Sequence, residues 1–589
     1  MITPITFYTQ EKLTHQKDLE ATNKKLFFIS ALRLLVFIVS VAGAYVFYEN
    51  NTVLSMIIFI GFLLFCMLVF KSKNLQRIKA ILTEKIAINT TEIDVLHGRY
   101  SNLKDGEEFQ HSDHSFSHDI DLFGPNSFFQ YSNRTATQEG AAAYATLLTK
   151  NCHQFVLERQ EAVKELASQA LWRQHFSAIA RLTKPRHNVH QIVSYLKSYT
   201  SVLPKFPMFL LQLFSICSVC FIVLTSFEIV PPSIVLGWFL IGLLFTATQL
   251  KKTQKIYTNS SIAKETFKQY FQLLKLIEDH SFDSKLLKEK KVEMTSGDEQ
   301  PSVIFQKFSK TLDAFDQRNN ILISLLGNGF FLWDILNATK VEYWIENYNE
   351  VVEKWFDGIA FFDAQNTLGN FSFNHPGYFF PTLTKEPSLI QATQLAHPLL
   401  NQQKRVANDF SIHKEEFFVI TGANMAGKST FLRTISLAVV MANSGLPVCA
   451  KEFEYVPVKL ITSMRTSDSL AEDESYFYSE LKRLKFIVDQ IHQEPYFIIL
   501  DEILKGTNSK DKAIGSWKFI EKLHQSTSAG IIATHDVSLC DLEKEYDQIH
   551  NYYFDAFIQA DELSFDYTLK KGICKNMNAS FLLRKMKIV

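Results

Sequence analysis

Four stretches of the chain are apolar almost without interruption: Leu26 to Tyr48, Val53 to Phe70, Met208 to Phe227 and Val230 to Leu250. Each runs for about 18 to 23 residues, the length a helix needs to cross the hydrocarbon core of a bilayer. The links inside each pair, Glu49 to Thr52 and the few residues around Glu228, are short. Each pair is therefore predicted as a helical hairpin that returns the chain to its starting side. Elsewhere the period changes. Ser72 to Pro207 has few Gly or Pro and carries apolar residues at helical spacing, as in "FVLERQEAVKELASQALW", and "NSSIAKETFKQYFQLLKLIED" after the second hairpin continues in the same way. Lys288 to Ser302 is polar and reads as an exposed loop, and a further helical region is predicted from about Val303 to Asp363. The C-terminal third alternates instead between short apolar strands and helical segments, the signature of a parallel α/β sheet.

Charge gives the hairpins a direction. Lys24, Lys25, Lys71, Lys73, Arg77, Lys205, Lys251, Lys252 and Lys255 all flank the same side, and the tight outer turns hold no Lys or Arg. By the positive-inside rule the N-terminus, the middle segment and the C-terminal half are expected in the cytoplasm, with the chain a multi-pass protein of a bacterial-type inner membrane. Arg33 is close enough to the span end to snorkel to the headgroups. Lys plus Arg equal Asp plus Glu at 61 each, so bulk charge does not make the chain a polyanion binder, and any nucleic-acid contact has to come from a local patch. The 7 cysteines are odd in number and scattered, against a disulfide framework. "CSVC" (Cys217 to Cys220) lies inside an apolar run with no second ligand pair, which reads as packing.

The candidate chemistry is concentrated after residue 414. "EEFFVITGANMAGKST" is an apolar strand followed by Gly422-x-x-x-x-Gly427-Lys428-Ser429 and a helix. In such a loop the backbone N–H groups of Gly422, Ala423, Asn424, Met425, Ala426, Gly427 and Thr430 are placed around phosphates. Lys428 reaches the β and γ phosphates, and the Ser429 hydroxyl ligates magnesium. "YFIILDE" (Tyr496 to Glu502) is a buried-type strand ending in two carboxylates, Asp501 to hold magnesium and Glu502 to orient or deprotonate the attacking water. "GIIATHD" ends a third strand at Thr534 and His535, where a histidine can sense the γ phosphate. The expected cofactors are ATP and Mg2+, and the expected catalytic set is Glu502, Lys428 and His535.

The wording of these segments resembles the MutS family of mismatch-recognition ATPases, which are related to ABC-type enzymes. The resemblance rests on "TGANMAGKSTFLRT", "GLPVCA", "SYFYSELKRL", "LDEILKGTNSKDK" and "ATHD". It implies that Asn424 lies beside the phosphates, that Ser475 completes the ATP site of an opposite subunit, and that "GTNSKD" is a subunit contact. Hydrolysis then requires a homodimer with composite sites. "AHPLL" and "RVANDF" resemble the family's entry to this domain, where a residue near Arg405 or Val406 would pack on adenine, although the usual aromatic is absent there. Weaker likeness in "DLFGPNSFFQYSNRTATQEGAAAYATLL" and "FDQRNNILISLLGNGFFLWDI" extends to the family's helical core and lever helices. The chain departs from the pattern in three ways. A match to the mismatch-wedge motif F-x-E occurs at Phe47 to Glu49, but at the outer end of the first span, on the wrong side of the membrane for DNA, where it reads as coincidence. The sequence ends with "YTLKKGICKNMNASFLLRKMKIV", so most of the family's C-terminal dimerisation element is not expected. The second hairpin falls where soluble relatives place a DNA clamp.

The expected organisation is a cytoplasmic segment 1–25, a transmembrane hairpin 26–71, a first helical core 72–207, a second hairpin 208–250, a second core and lever 251–385, and an α/β P-loop ATPase domain of the ABC/MutS type over 386–589. Two functional readings stay open. In one, a membrane-anchored ATPase binds mismatched or branched DNA. In the other, ATP drives a membrane-mechanical or ABC-like transport device that does not act on DNA.

Overall fold

The computed structural model describes residues 3–182, 188–297, 299–384, 387–465, 476–505, 507–559 and 562–574. The chain opens with two helices far longer than their apolar stretches, α1 (Pro4–Val46, 43 residues) and α2 (Asn51–Leu96, 46 residues). They pair along their length, with Gly61 against Ser40, where a Cβ would lie 2.1 Å from the Ser40 hydroxyl. Below the apolar part, α1 buries Tyr8, His15, Thr22 and Ile29, one residue in every seven, the seam that a coiled-coil-like partner selects. The next helices form the first part of the core: α3 (Phe128–Ser132), α4 (Gln138–Thr149), α5 (Val156–Ser168), α6 (Ala170–Arg181) and α7 (Val189–Lys197).

A second apolar pair, α8 (Met208–Ser226) and α9 (Pro232–Ser261), follows. All four expected stretches are thus helical, and α1, α2, α8 and α9 are long and apolar enough to cross a membrane. Their apolar windows are only 6 to 11% buried within the chain. The core resumes with α10 (Lys264–Glu278), α11 (Lys285–Thr295), α12 (Pro301–Asp316), α13 (Ile321–Phe331), α14 (Trp333–Tyr348) and α15 (Val352–Asn374). The expected loop Lys288 to Ser302 needs correction, because most of it is α11. Met294 is buried against Gly358, the Trp355 indole N–H donates to the Met294 carbonyl (3.1 Å), and Lys291 Nζ donates to the carbonyls of Glu278 and His280. Tertiary contacts thus override a lysine-rich surface pattern. Helix α15 is the central strut, apolar and small polar residues on all its faces being buried.

Polar groups hold the foot of the first hairpin to that strut. Arg134 Nε donates to Glu92 Oε1 (2.7 Å), Asn374 Nδ2 donates to Glu92 Oε2 (2.8 Å), and the Tyr8 hydroxyl donates to Asn374 Oδ1 (2.7 Å). Tyr8, Glu92 and Asn374 are buried and the Arg134 side chain is only 9% exposed, so each donor and acceptor needs a protein partner. Asp363 of α15 accepts from the backbone N–H of Ala136 and Thr137 and from the Thr137 hydroxyl, at the N-terminus of α4. Gly140 is required there, since a Cβ would lie 2.2 Å from Asp363 Oδ2.

The C-terminal part holds two sheets. A small one contains β1 (Thr382–Leu383), β2 (Ser388–Leu395), β3 (Asn408–His413) and β5 (Glu452–Tyr455) in the order β1-β5-β2-β3. The large one contains β4 (Phe417–Gly422), β6 (Lys459–Ser463), β7 (Tyr496–Asp501), β8 (Ala529–Ala533), β9 (Ile549–Gln559) and β10 (Glu562–Lys571), in the order β10-β9-β4-β8-β7-β6. Only the β9–β10 pair is antiparallel. Helix α16 (Lys428–Asn443) packs into the core on one face, and α17 (Tyr476–Ile491) and α18 (Ser509–His524) cover the other; the short α19 (Leu542–Glu545) precedes β9. Burial of both faces explains why β4 reads as an unbroken apolar run.

Candidate functional site

Strand order brings the candidate residues together. β8 lies between β4 and β7, so the loop after β4, the carboxylates ending β7 and the histidine after β8 emerge side by side at the C-terminal edge of the sheet. In open parallel sheets this edge is where ligands bind. The loop itself is built on positive φ at Met425 (67°) and Gly427 (105°). Gly427 then opens α16, whose first N–H groups face the cavity. A Cβ at Gly427 would approach the Tyr567 ring to 3.0 Å, and one at Gly422 would meet the Phe554 carbonyl at 2.6 Å.

Lys428 is buried, and its ammonium donates to the carbonyls of Gly422 (2.8 Å) and Ala423 (3.0 Å), with His535 Nε2 at 3.4 Å. Burial lowers its pKa from the usual lysine range, opposed by the charges of Asp501 and Glu502. The Ser429 hydroxyl donates to Asp501 Oδ2 at 2.6 Å. This hydroxyl and carboxylate are hard oxygen donors of the kind magnesium takes alongside phosphate oxygens and water, so the residues present fit that ion. Glu502 Oε1 is 2.8 Å from His535 Nε2. The hydrogen bond from His535 holds the Glu502 carboxyl down at about 2 against the effect of burial, helped by the charges of His535, Lys505 and Lys512. Glu502 also sits at φ 52°, a conformation costing on the order of 1 kcal/mol that its backbone N–H bond to the Ala533 carbonyl (2.9 Å) helps to fix.

These groups line one cavity of about 630 Å³. Ala423, Asn424, Met425, Gly427, Lys428, Ser429, Thr430, Asp501, Glu502 and His535 all border it, and Gly422 and the buried Ala426 lie just behind. Arg405 and Val406 border it as well. Ser475 lies outside the described residues, as does Gly506 of "GTNSKD". His397 and Tyr567 are among the lining residues that the sequence motifs do not mark. His397, whose pKa burial and the nearby Arg433 push down to about 4, is a neutral ring on the cavity wall. Tyr567 supplies an aromatic ring from β10, on a bulge between Phe565 and Leu569 that Asn408 pins by bonding the Tyr567 carbonyl and the Leu569 N–H. No local motif marks Tyr567; it reaches the loop only through the antiparallel β9–β10 pair.

A phosphate-type loop, a paired hydroxyl and carboxylate, and an ionised glutamate held by histidine at the edge of a parallel sheet define the P-loop nucleotide-binding class. MutS domain V matches residues 418–584. The chain is 31% identical over 244 residues to the DNA mismatch repair protein MutS of Desulfatibacillum aliphaticivorans, covering 40% of this chain and 27% of that protein. It is 32% identical over 181 residues to that of Persephonella marina, covering 30% and 21%. It is 31% identical over 212 residues to that of Thermotoga sp. strain RQ2, covering 35% and 26%. Residues 418–584 are thus similar to domain V of the MutS family, and the chain's matches span about a quarter of the length of these relatives.

Proposed function

We propose that the chain is a magnesium-dependent ATP hydrolase, anchored by its two apolar hairpins in a cytoplasmic (inner) membrane, that works as a homodimer and acts on mismatched or branched DNA. The observation that carries the reading is the meeting of Lys428, Ser429, Asp501, Glu502 and His535 in one cavity. Lys428 is placed to turn from the loop carbonyls to the β and γ phosphates, while the loop N–H groups hold their oxygens. Magnesium, held by Ser429 and Asp501, would neutralise charge on the phosphates. Glu502 stays ionised at neutral pH, and release from His535 frees it to orient and deprotonate a water, leaving His535 facing the γ phosphate. Ser475 of a second copy would complete the site. The clustering of lysines on one side of both hairpins supports the cytoplasmic side for the ATPase half. The DNA reading rests on the relatives, named as DNA mismatch repair proteins.

A second reading is an ATP-driven membrane-mechanical or transport device. It is favoured by the unbroken course of α1 and α2 from their apolar parts into buried contacts with α15, which ties the first hairpin to the helical core. Binding of the purified protein to mismatched and four-way-junction DNA, read with and without ATP and across a salt series, separates the two. ATP-dependent release with a steep salt slope supports the DNA reading; no binding at low salt overturns it. ATPase stimulation by lipid and not by DNA would favour the second.

A further inference from the structure

Helix α13 does not belong with the soluble levers that surround it. Its eleven residues, ILISLLGNGFF, carry no charge, and Ile321, Leu322, Leu325 and Leu326 are 82, 69, 47 and 51% exposed. The polar flanks are abrupt, with Arg318 just before and Asp334 just after. Instead of packing into the helical core, α13 lies on the second hairpin. A Cβ at Gly242 of α9 would sit 2.1 Å from the Gly329 carbonyl, and one at Gly329 would sit 2.1 Å from the Phe239 ring. Leu326 and Phe330 share an apolar groove of about 380 Å³ with Ile222, Val235 and Leu236.

The last turn of α13 shows where along the hairpin it ends. A helix C-terminus leaves carbonyls without intrahelical partners, and in hydrocarbon there is no water to take them. Here the Ser218 hydroxyl of α8 donates to the Phe330 carbonyl (2.5 Å), that of Ser215 to the Phe331 carbonyl (3.4 Å), and the Trp238 indole N–H in turn donates to Ser218 Oγ (2.8 Å). Ser218 is ten residues into α8 and Gly242 is eight residues before Leu250, which puts this end about 12 to 15 Å along the hairpin from its lysine-flanked side at 1.5 Å per residue.

At Leu332 (φ 49°) the chain bends by 81° into α14. Further along α14, Glu342 accepts from the Tyr199 hydroxyl and from the N–H groups of Val202 and Leu203, the segment just before α8. On the entering side, Asn319 Nδ2 donates to the Tyr257 hydroxyl, beyond the lysines that end the apolar part of α9. Chain entry and chain return therefore lie on one side of the hairpin. A buried ion pair between Arg318 and Asp334 (3.1 Å) closes the base of the excursion.

We propose that α13 is a re-entrant membrane element, dipping into the lipid beside α8 and α9 and returning to the cytoplasmic side without crossing. This rests on the reading of α8 and α9 as membrane spans. Its exposed leucines would meet acyl chains, continuous with the exposed apolar faces of the hairpin, and α14 and α15 would join it to the ATPase half.

The test places single nitroxide labels at introduced cysteines, with the seven native cysteines replaced, in full-length protein in phosphatidylglycerol and phosphatidylethanolamine nanodiscs. Val219→Cys reports α8 itself, Leu326→Cys reports α13, and Tyr343→Cys reports the exposed face of α14. We expect the first two to be relaxed by oxygen far more than by a water-soluble nickel chelate, and Tyr343→Cys the reverse. An impermeant maleimide should reach Gln317→Cys and Tyr343→Cys from the same face of sealed vesicles. Lipid exposure at Val219 with water exposure at Leu326 overturns the re-entrant element and leaves the spans standing. A label at Leu326 reached by neither reagent means that a second copy covers the patch, which also overturns it. Maleimide reactivity of the two sites from opposite faces would make the segment a crossing instead. Water exposure at Val219 removes the membrane reading itself.

Discussion

Replacing Glu92 by Gln removes the charge at the centre of the network that ties the first hairpin to the core. Both of its oxygens are committed, one to Arg134 Nε (2.7 Å) and one to Asn374 Nδ2 (2.8 Å), and the two side chains of the ion pair are only 9% and 2% exposed. An amide keeps one acceptor and turns the other into a donor, so one of the two partners then faces a donor with a donor. The Arg134 guanidinium also stays buried without its counter-charge. Breaking a buried pair from one side costs roughly 3–5 kcal/mol, a large share of a domain's net stability of about 5–15 kcal/mol. Removing both partners, as Glu92→Leu with Arg134→Met, should cost much less than the sum of the two single changes, because no buried charge is left alone. Urea unfolding in detergent micelles, followed by tryptophan fluorescence, gives the four corners of the cycle. A loss for Glu92→Gln below about 1 kcal/mol, the range of exposed pairs, would refute the claim that this network anchors the hairpin.

Glu502→Gln leaves Lys428, Ser429 and Asp501 in place, so ATP binding should persist while turnover falls by on the order of 10²–10⁴-fold, the usual worth of a positioned general base; nucleotide trapping and steady-state phosphate release read the two separately. Gly427→Ala combines a Cβ 3.0 Å from the Tyr567 ring with a φ of 105°, and should weaken ATP binding measured by calorimetry by about 1–2 kcal/mol. Burial raises the Asp363 carboxyl from 3.8 to about 6, against the pull of its hydrogen bonds from Thr137 and Ala136. The protonated form favours the folded chain, so this contribution is complete below pH 3.8 and is lost as pH rises through 6, worth roughly 3 kcal/mol in all. Asp363→Asn should flatten the pH dependence of the urea midpoint between pH 4 and 6, and an unchanged slope would show that the group does not titrate there.

The sequence pattern reaches some of this architecture and not the rest, for physical reasons. The hairpins were legible because length and uninterrupted apolarity are local properties, and the P-loop because its backbone turn requires glycine at fixed spacing. α13 was not, since eleven apolar residues are too few to read as a span and only contacts with Ser218 and Gly242 distinguish it from a buried core helix. The part of α11 after Leu287 reads as a loop because Met294 is its one buried apolar anchor in a run of lysines and glutamates. Tyr567 enters the site through a strand bulge some 140 residues beyond the loop it touches, and no spacing rule encodes such a contact.

The measurement that bears most directly on the account is ATP turnover by the full-length protein reconstituted in lipid nanodiscs, with and without magnesium, beside Lys428→Ala. The account predicts magnesium-dependent phosphate release by the native chain and none above background from Lys428→Ala. Equal turnover by the two, or none by the native chain in any lipid or DNA condition, would contradict it.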